Sequence, residues 1–426
     1  MIDRLRQRFF SQQNLLSLYL PAFTLALGNG IAAPALPVYA KSFDVDFGVA
    51  ALVIIIYEVG GLLATIPTGF MMDRFGRRRI LLAGPILVAI ASVLVATAHS
   101  FPELLVYRFV GGWARQMWML SRLTVISDTG ASESRGRQIS GMIGFEGMGR
   151  LMGPAVGGFV AAATDVRVPF LLHAVLALLA IAPSFKLVKE SMPGSAARQA
   201  ADVPAGERRT GAMAALLTVP VIMFFVAQFL ASFARGTLIG GSVQLYAVYQ
   251  YAVGPEVLGA LASATAVIAI PIMFSTGHLM DRFGRTVTAV PGFLLLSVAL
   301  VFVAATDFAH LPFSAFVVSL FVTQASQSLT AGNMQVIGSV IAPEHMRGRF
   351  FGVWRLIGEI GSTASPAMFA VLSTQHSYAA GFLSLSVAAL GAAVLLWTHV
   401  RRALGETRVR GGRNAEAQAR GAESAT

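Results

Sequence analysis

The 426-residue chain contains no cysteine, which excludes disulfides and thiolate metal sites. It is also poor in charge: Asp, Glu, Lys and Arg make up 12% of it, against roughly 25% in an ordinary soluble domain. Its seven histidines include no His-Glu-x-x-His or other ligand-spaced pair, so no metal site is expected, and His173 reads as a packed polar residue. The apolar runs lack a nucleophile–base constellation, which weighs against a membrane-embedded enzyme. Gly28-Asn29-Gly30-Ile31-Ala32-Ala33 matches a dinucleotide fingerprint as text, but no strand precedes it and it lies inside an apolar run. No cofactor is expected.

What the chain has is apolar mass. Hydrophobic residues make up 55% of it, and the net charge is +11. Most basic residues fall in short stretches between apolar runs, a pattern that fits basic loops at a membrane face and not nucleic-acid binding. A helix needs about 20 apolar residues to cross a bilayer. Twelve such runs occur, at roughly 15–40, 48–72, 79–98, 104–125, 138–163, 169–187, 214–247, 256–280, 286–306, 312–341, 350–372 and 378–399. The first is too long for a signal-peptide core and reads as an uncleaved span.

Orientation follows from Lys and Arg. One face carries 24 of the 32, whereas the opposite loops carry only Lys41 and Arg167. The basic face is expected to be cytoplasmic, which places both termini inside a plasma (inner) membrane. The domain plan is a six-helix bundle over 1–187, a cytoplasmic linker rich in Ala, Gly, Pro and charge over 188–213, a second bundle over 214–400, and a disordered basic tail over 401–426.

The two halves repeat. Gly69-x-x-x-Asp73-Arg74-Phe75-Gly76-Arg77-Arg78 returns as Gly277-x-x-x-Asp281-Arg282-Phe283-Gly284-Arg285, 208 residues later. Arg135-Gly136-Arg137 returns as Arg347-Gly348-Arg349, and Pro154 as Pro366, both 212 residues later. Six spans per copy give both halves one orientation, so the repeat is parallel. In the loop, Gly69 and Gly76 allow a short reversal and close helix approach. Asp73 can cap the third span or meet a neighbouring helix N-terminus. A plain basic loop would not need Asp and Gly at fixed places.

Two further motifs are Arg108 followed by Gly111 and Gly112, and Gly149-x-x-x-Gly153-Pro154-x-x-Gly157-Gly158. With the duplicated loop, they make the chain resemble the major facilitator superfamily over about residues 10–400, and its drug–proton antiporter branch in the last motif. The resemblance implies an all-α polytopic membrane protein, with twelve transmembrane helices in two pseudo-symmetric six-helix bundles rocking about a central cavity. It assigns gating roles to Gly69, Asp73, Arg74, Gly76, Arg77, Asp281 and Arg282, with Gly149, Gly153 and Pro154 as a packing face and bend. Ordinary small-residue packing explains the latter three equally well. Many antiporters of that branch carry an acidic residue in the first span; this chain has Asn29.

Nine charged residues fall inside the spans: Glu58, Arg108, Arg115, Arg122, Glu146, Arg150, Arg235, Arg355 and Glu359. Each costs roughly 2.5–3.5 kcal/mol at a helix centre, so they are expected to face a bundle interior or a wet cavity. Arg108, Arg115 and Arg122 are seven apart and form one stripe, with Arg122 near the cytoplasmic end, where it is expected to snorkel to headgroups. Arg115 and Glu58 lie at similar depth and can pair. Glu146 with Arg150, and Arg355 with Glu359, share helix faces at i,i+4, either as structural ion pairs or as functional ones.

Candidate cargo contacts are therefore Arg235, Arg115, Arg108, Trp113, Trp118, Gln327, Asn333 and Arg355. Candidate proton-coupling residues are Glu58, Glu146 and Glu359, with Arg150 beside Glu146. Most aromatics in spans are packing or interface anchors, which is the plainer reading of the two tryptophans. The expected function is proton-coupled efflux of small amphipathic compounds by a monomer in the bilayer. Six intramembrane Arg against three Glu keep a second reading open: uptake or exchange of an organic anion, either a carboxylate or a phosphorylated metabolite.

Overall fold

The computed structural model describes residues 19–129, 132–187, 218–330, 332–342 and 347–403. The expected linker at 188–213, the tail from 404 and the side chain of Asp281 lie outside the described residues. All regular structure among the described residues is helical. In chain order the helices are α1 (Leu20–Ala32), α2 (Ala35–Lys41), α3 (Phe47–Phe75), α4 (Arg77–Ala96), α5 (Phe101–Thr129), α6 (Ser132–Ala163) and α7 (Val168–Leu187). Then come α8 (Val219–Gly240), α9 (Ser242–Tyr251), α10 (Pro255–Phe283), α11 (Arg285–Phe308), α12 (Phe313–Leu329), α13 (Asn333–Ile341), α14 (Arg347–Gln375) and α15 (Tyr378–Leu395).

Three apolar runs are each split into two consecutive helices, α1–α2, α8–α9 and α12–α13, so these helices make twelve crossing segments. Eight of the segments are long and apolar enough by composition alone to cross a membrane. The other four include α5 and α6, whose charges dilute the apolar signal, and the polar pair α12–α13. The breaks are themselves repeated: α1 stops at Ala33 and α8 at Gly241, again 208 residues apart. Large side chains such as Ile66, Phe70, Phe159 and Val387 project outward from the helices. A soluble protein does not expose apolar surface on this scale, whereas a multi-pass membrane protein must.

Described residues within 1–203, 237–267 and 366–378 form one compact unit, and those within 204–236, 268–365 and 379–426 form the other. In the first unit Leu25 of α1, Val88 of α4, Ala114 and Trp118 of α5, and Ala177 of α7 share one buried core. At the end of α3 away from its charged loop, the Phe47 ring meets Tyr378, Tyr249 and Phe369 edge-on at 4.7, 5.6 and 5.9 Å. There the Lys41 ammonium donates to the Val248 carbonyl at 2.9 Å, and the Tyr249 hydroxyl donates to the Val45 carbonyl at 2.6 Å. The two inserted segments are thus bonded into the first unit, not merely adjacent to it.

In the second unit the α12 hydroxyls bond back along their own helix, Thr323 to Ser319 O, Ser326 to Val322 O and Ser328 to Gln324 O. That local satisfaction lets a polar helix sit in a membrane protein with no cargo to pair it.

The charged loop is tighter than its sequence implies. α3 ends at Gly76 with φ 88° and ψ 150°, and α10 ends at Gly284 with φ 98° and ψ 159°, a region open essentially to glycine alone. Both copies also lay an arginine over the next ring, Arg74 on Phe75 at 5.5 Å and Arg282 on Phe283 at 5.3 Å. Two expectations for this loop are not met. α4 starts with no side-chain cap, because Asp73 still belongs to the last helical turn of α3 and stands exposed. A Cβ at Gly69 or Gly277 would meet nothing within 4 Å, so neither glycine marks a close helix approach.

Candidate functional site

The site begins with two helices that nearly touch. A Cβ added at Gly112 of α5 would collide with the Tyr57 carbonyl of α3, and one at Gly60 with the Phe109 carbonyl. This closeness brings the arginine stripe of α5 onto α3. The Arg115 guanidinium donates to Glu58 at 2.9 Å. The Arg108 Nε donates to the Val53 carbonyl at 3.0 Å, and its guanidinium lies 4.0 Å from the Tyr57 ring centroid. The Arg115 guanidinium approaches the same ring at 5.2 Å, so Tyr57 contacts two cations.

Two turns further along α5, Arg122 donates to Glu146 of α6 at 3.1 Å, and Glu146 also accepts from Arg150 at 2.7 Å. Arg122 is not at the headgroups as its position in the stripe suggested. Its side chain is 7% exposed, paired with Glu146 and 5.9 Å from the Trp118 ring. A buried carboxylate on the neighbouring helix outcompetes snorkelling, since a paired charge need not reach water.

These groups line one cavity of about 380 Å³ within the first unit, a size suited to a small organic compound. Of the expected site residues it brings together Glu58, Arg108, Arg115, Trp118, Glu146 and Arg150. Asn29, Tyr57 and Arg122 also line it, as does His173, whose Nδ1 lies 3.1 Å from the Ser92 hydroxyl. Trp113 does not: it packs against the core of Met72, Ile80 and Met117.

The remaining expected contacts lie in the second unit. Arg235 has a buried Nε without a hydrogen-bond partner among the described residues. Asn333 donates to the Leu329 carbonyl at 3.1 Å, and Gln327 is buried. Arg355 and Glu359 approach only to 3.8 Å, the loosest of the intramembrane pairs.

The glycine face of α6 is a contact surface. Gly149 and Gly153 abut the α1 backbone at Leu27 and Gly30, and Gly157 abuts Ile31. Gly158 and Pro154 in turn meet Pro255 and Gly259 of α10. At the proline, a hydroxyl enters the helix: the Ala155 amide donates to Ser263 Oγ at 3.0 Å, and Ser263 donates to the Leu151 carbonyl at 2.7 Å. Ser263 therefore stands in for the helix bond that would join Leu151 to Ala155. Replacing it (Ser263→Ala) is expected to speed hydrogen exchange at the Ala155 amide and to lower stability by about 1 kcal/mol. An unchanged exchange rate at that amide would show that the bridge does not replace the helix bond.

Twelve crossing segments with repeated landmarks, and an ion-paired cavity within the first unit, fit a membrane carrier of small molecules and not an enzyme. The chain belongs to the Major Facilitator Superfamily, whose family model matches residues 18–235 and 224–421. It is 28% identical over 173 residues to the quinolone resistance protein NorA of Staphylococcus aureus, covering 41% of this chain and 44% of that one. It is 30% identical over 148 residues to the multidrug transporter AQR1 of Candida glabrata, covering 35% of this chain and 25% of that one. These matches therefore span less than half of either relative. The fold is similar to that of the xylose transporter XylE from E. coli in its inward-open conformation, with TM-score 0.71 at 18% identity over 92% of this chain and 96% of that one. It is equally similar to a peptide transporter of the POT type in complex with sulfate, with TM-score 0.72 at 15% identity over 92% and 94%.

Proposed function

We propose that this transporter exports small amphipathic compounds across the inner membrane, driven by proton entry, with both termini in the cytoplasm and a single chain as the working unit. The observation that carries the reading is the cavity of the first unit. It sets two carboxylates, Glu58 and Glu146, each in contact with an arginine, beside the apolar surfaces of Trp118 and Met119. Aromatic and methionine surfaces accept apolar bodies of variable shape. The names of NorA, a quinolone resistance protein, and of AQR1, a multidrug transporter, point the same way.

Coupling then has a concrete form. While Arg115 holds Glu58, the carboxylate is neutralised by its partner. When cargo or a helix movement draws Arg115 away, a carboxylate left in a low-dielectric site takes up a proton. Proton and cargo thus occupy the site alternately. Glu146, held by two arginines, is the second group able to exchange in this way.

Purified protein in proteoliposomes under an imposed pH gradient tests the proposal. Wild type is expected to move a lipophilic dye against its concentration gradient only while the pH gradient lasts. Glu58→Gln is expected to retain downhill flux and lose the response to the gradient. Wild-type flux that ignores the gradient would replace coupled export with simple facilitation.

A further inference from the structure

The cavity lining carries more cations than carboxylates among the described residues. It holds Arg108, Arg115, Arg122 and Arg150 against Glu58 and Glu146. Glu146 serves both Arg122 and Arg150, and Glu58 serves Arg115. No carboxylate lies within ion-pair distance of Arg108 among the described residues. Its plane is fixed by the Val53 carbonyl at Nε and by the Tyr57 ring beneath it. No hydrogen bond among the described residues engages its two terminal nitrogens. A planar fork held in place with its donors open is the arrangement that receives a carboxylate. Leaving such a cation uncompensated inside a membrane protein is costly, so an anion supplied from outside gains from seating there.

We infer that the cavity takes amphipathic organic acids, with the acidic group seated on Arg108 and the apolar body on the Trp118 side of the lining. This deepens the cargo-site reading above and rests on it. The acid group has Asn29 and His173 available as further polar neighbours in the same cavity, and Leu25, Val88 and Phe170 supply apolar wall. A permanently cationic compound would meet the excess arginine charge directly. The structure thus separates this cavity from one built for lipophilic cations, although both could be lined with the same aromatic surfaces.

Binding of three matched probes to the purified full chain tests the inference: 2-naphthoate, 2-naphthamide and a 2-naphthyl trimethylammonium salt, measured by calorimetry at neutral pH. The naphthoate is expected to bind about tenfold or more tighter than the amide, the lower end of what a charge-assisted hydrogen bond contributes, with the ammonium weakest. Arg108→Gln is expected to bring the naphthoate down to the amide's affinity. Retained amide binding in that variant shows that the cavity is intact. Should Arg108→Gln fail to fold, the order of the three probes on wild type still decides. Equal binding of acid and amide, tighter binding of the ammonium, no binding of any probe, or an acid preference that survives Arg108→Gln would each overturn the inference. No gradient or transport enters this measurement. A wild type that prefers the acid but exports nothing would therefore sink the export reading and leave the acid seat standing.

Discussion

Gly157→Val is expected to abolish transport and to leave little folded protein. The added Cβ would run into the Ile31 carbonyl and Cα of α1, backbone atoms that cannot swing aside as a side-chain tip can. Relief requires α1 and α6 to move apart along the whole Gly149–Gly153–Gly157 face, losing the dispersion contacts that close packing supplies in a membrane. Overpacking of this kind costs typically about 1–3 kcal/mol and more when backbone blocks relief, so a loss at the top of that range is expected. Gly144 and Gly147 on the same helix provide the control, since a Cβ at either meets nothing within 4 Å. Thermal melting of the three valine variants should single out Gly157, with the other two close to wild type. Equal loss at Gly144 would mean that helix propensity, not the α1 contact, is being measured.

Glu146→Ala is expected to destabilise far more than Arg150→Ala, although the two residues share an ion pair. Removing Glu146 strands Arg122, whose side chain is 7% exposed and whose Nε already has no hydrogen-bond partner among the described residues. Breaking a buried pair in this way costs about 3–5 kcal/mol. Arg150 is 65% exposed on its side chain, and its removal leaves Glu146 still paired with Arg122. An exposed pair is worth about 0–1 kcal/mol, so Arg150→Ala should melt within a few degrees of wild type. The double variant Arg122→Met with Glu146→Leu is expected to recover most of the loss, because an apolar pair leaves no orphaned charge. Equal melting of Glu146→Ala and Arg150→Ala would show that Arg122 finds water or lipid phosphate instead.

The architecture was legible because its signals are periodic and local. Apolar runs set the crossings, and the recurrence of Asp73 and Gly76 at Asp281 and Gly284 set the duplication. The pairing of Arg115 with Glu58 was within reach because both sit at a comparable depth below one face. Arg122 was misplaced at the headgroups because its partner is 24 residues away on another helix, and linear spacing carries no information about that. Trp113 and Trp118 have the same composition signal and both pack against cores, yet only Trp118 also lines the cavity. The five-residue step between them turns the helix face, and only the neighbours α3 and α4 decide which face is wet. His173 is the packed polar residue its sequence suggests, bonded to Ser92 81 residues upstream, but nothing local to it shows that it also lines the cavity. A usable signal did exist for the α3–α5 contact: Gly60-Gly61 and Gly111-Gly112 are paired small residues on two spans that also carry Glu58 and the arginines.

The absence of cysteine from the natural chain makes the most direct test simple. Asn29→Cys places one thiol in the lining of the first-unit cavity, and Leu178→Cys places one on an outward-facing position of α7 as the control. If cargo passes through this cavity, a charged, membrane-impermeant thiol reagent should modify Asn29→Cys, stop transport, and be slowed by an excess of a transported compound. Leu178→Cys should show none of the three effects. Modification at position 29 that leaves transport intact, or that cargo does not slow, would contradict the account at its centre.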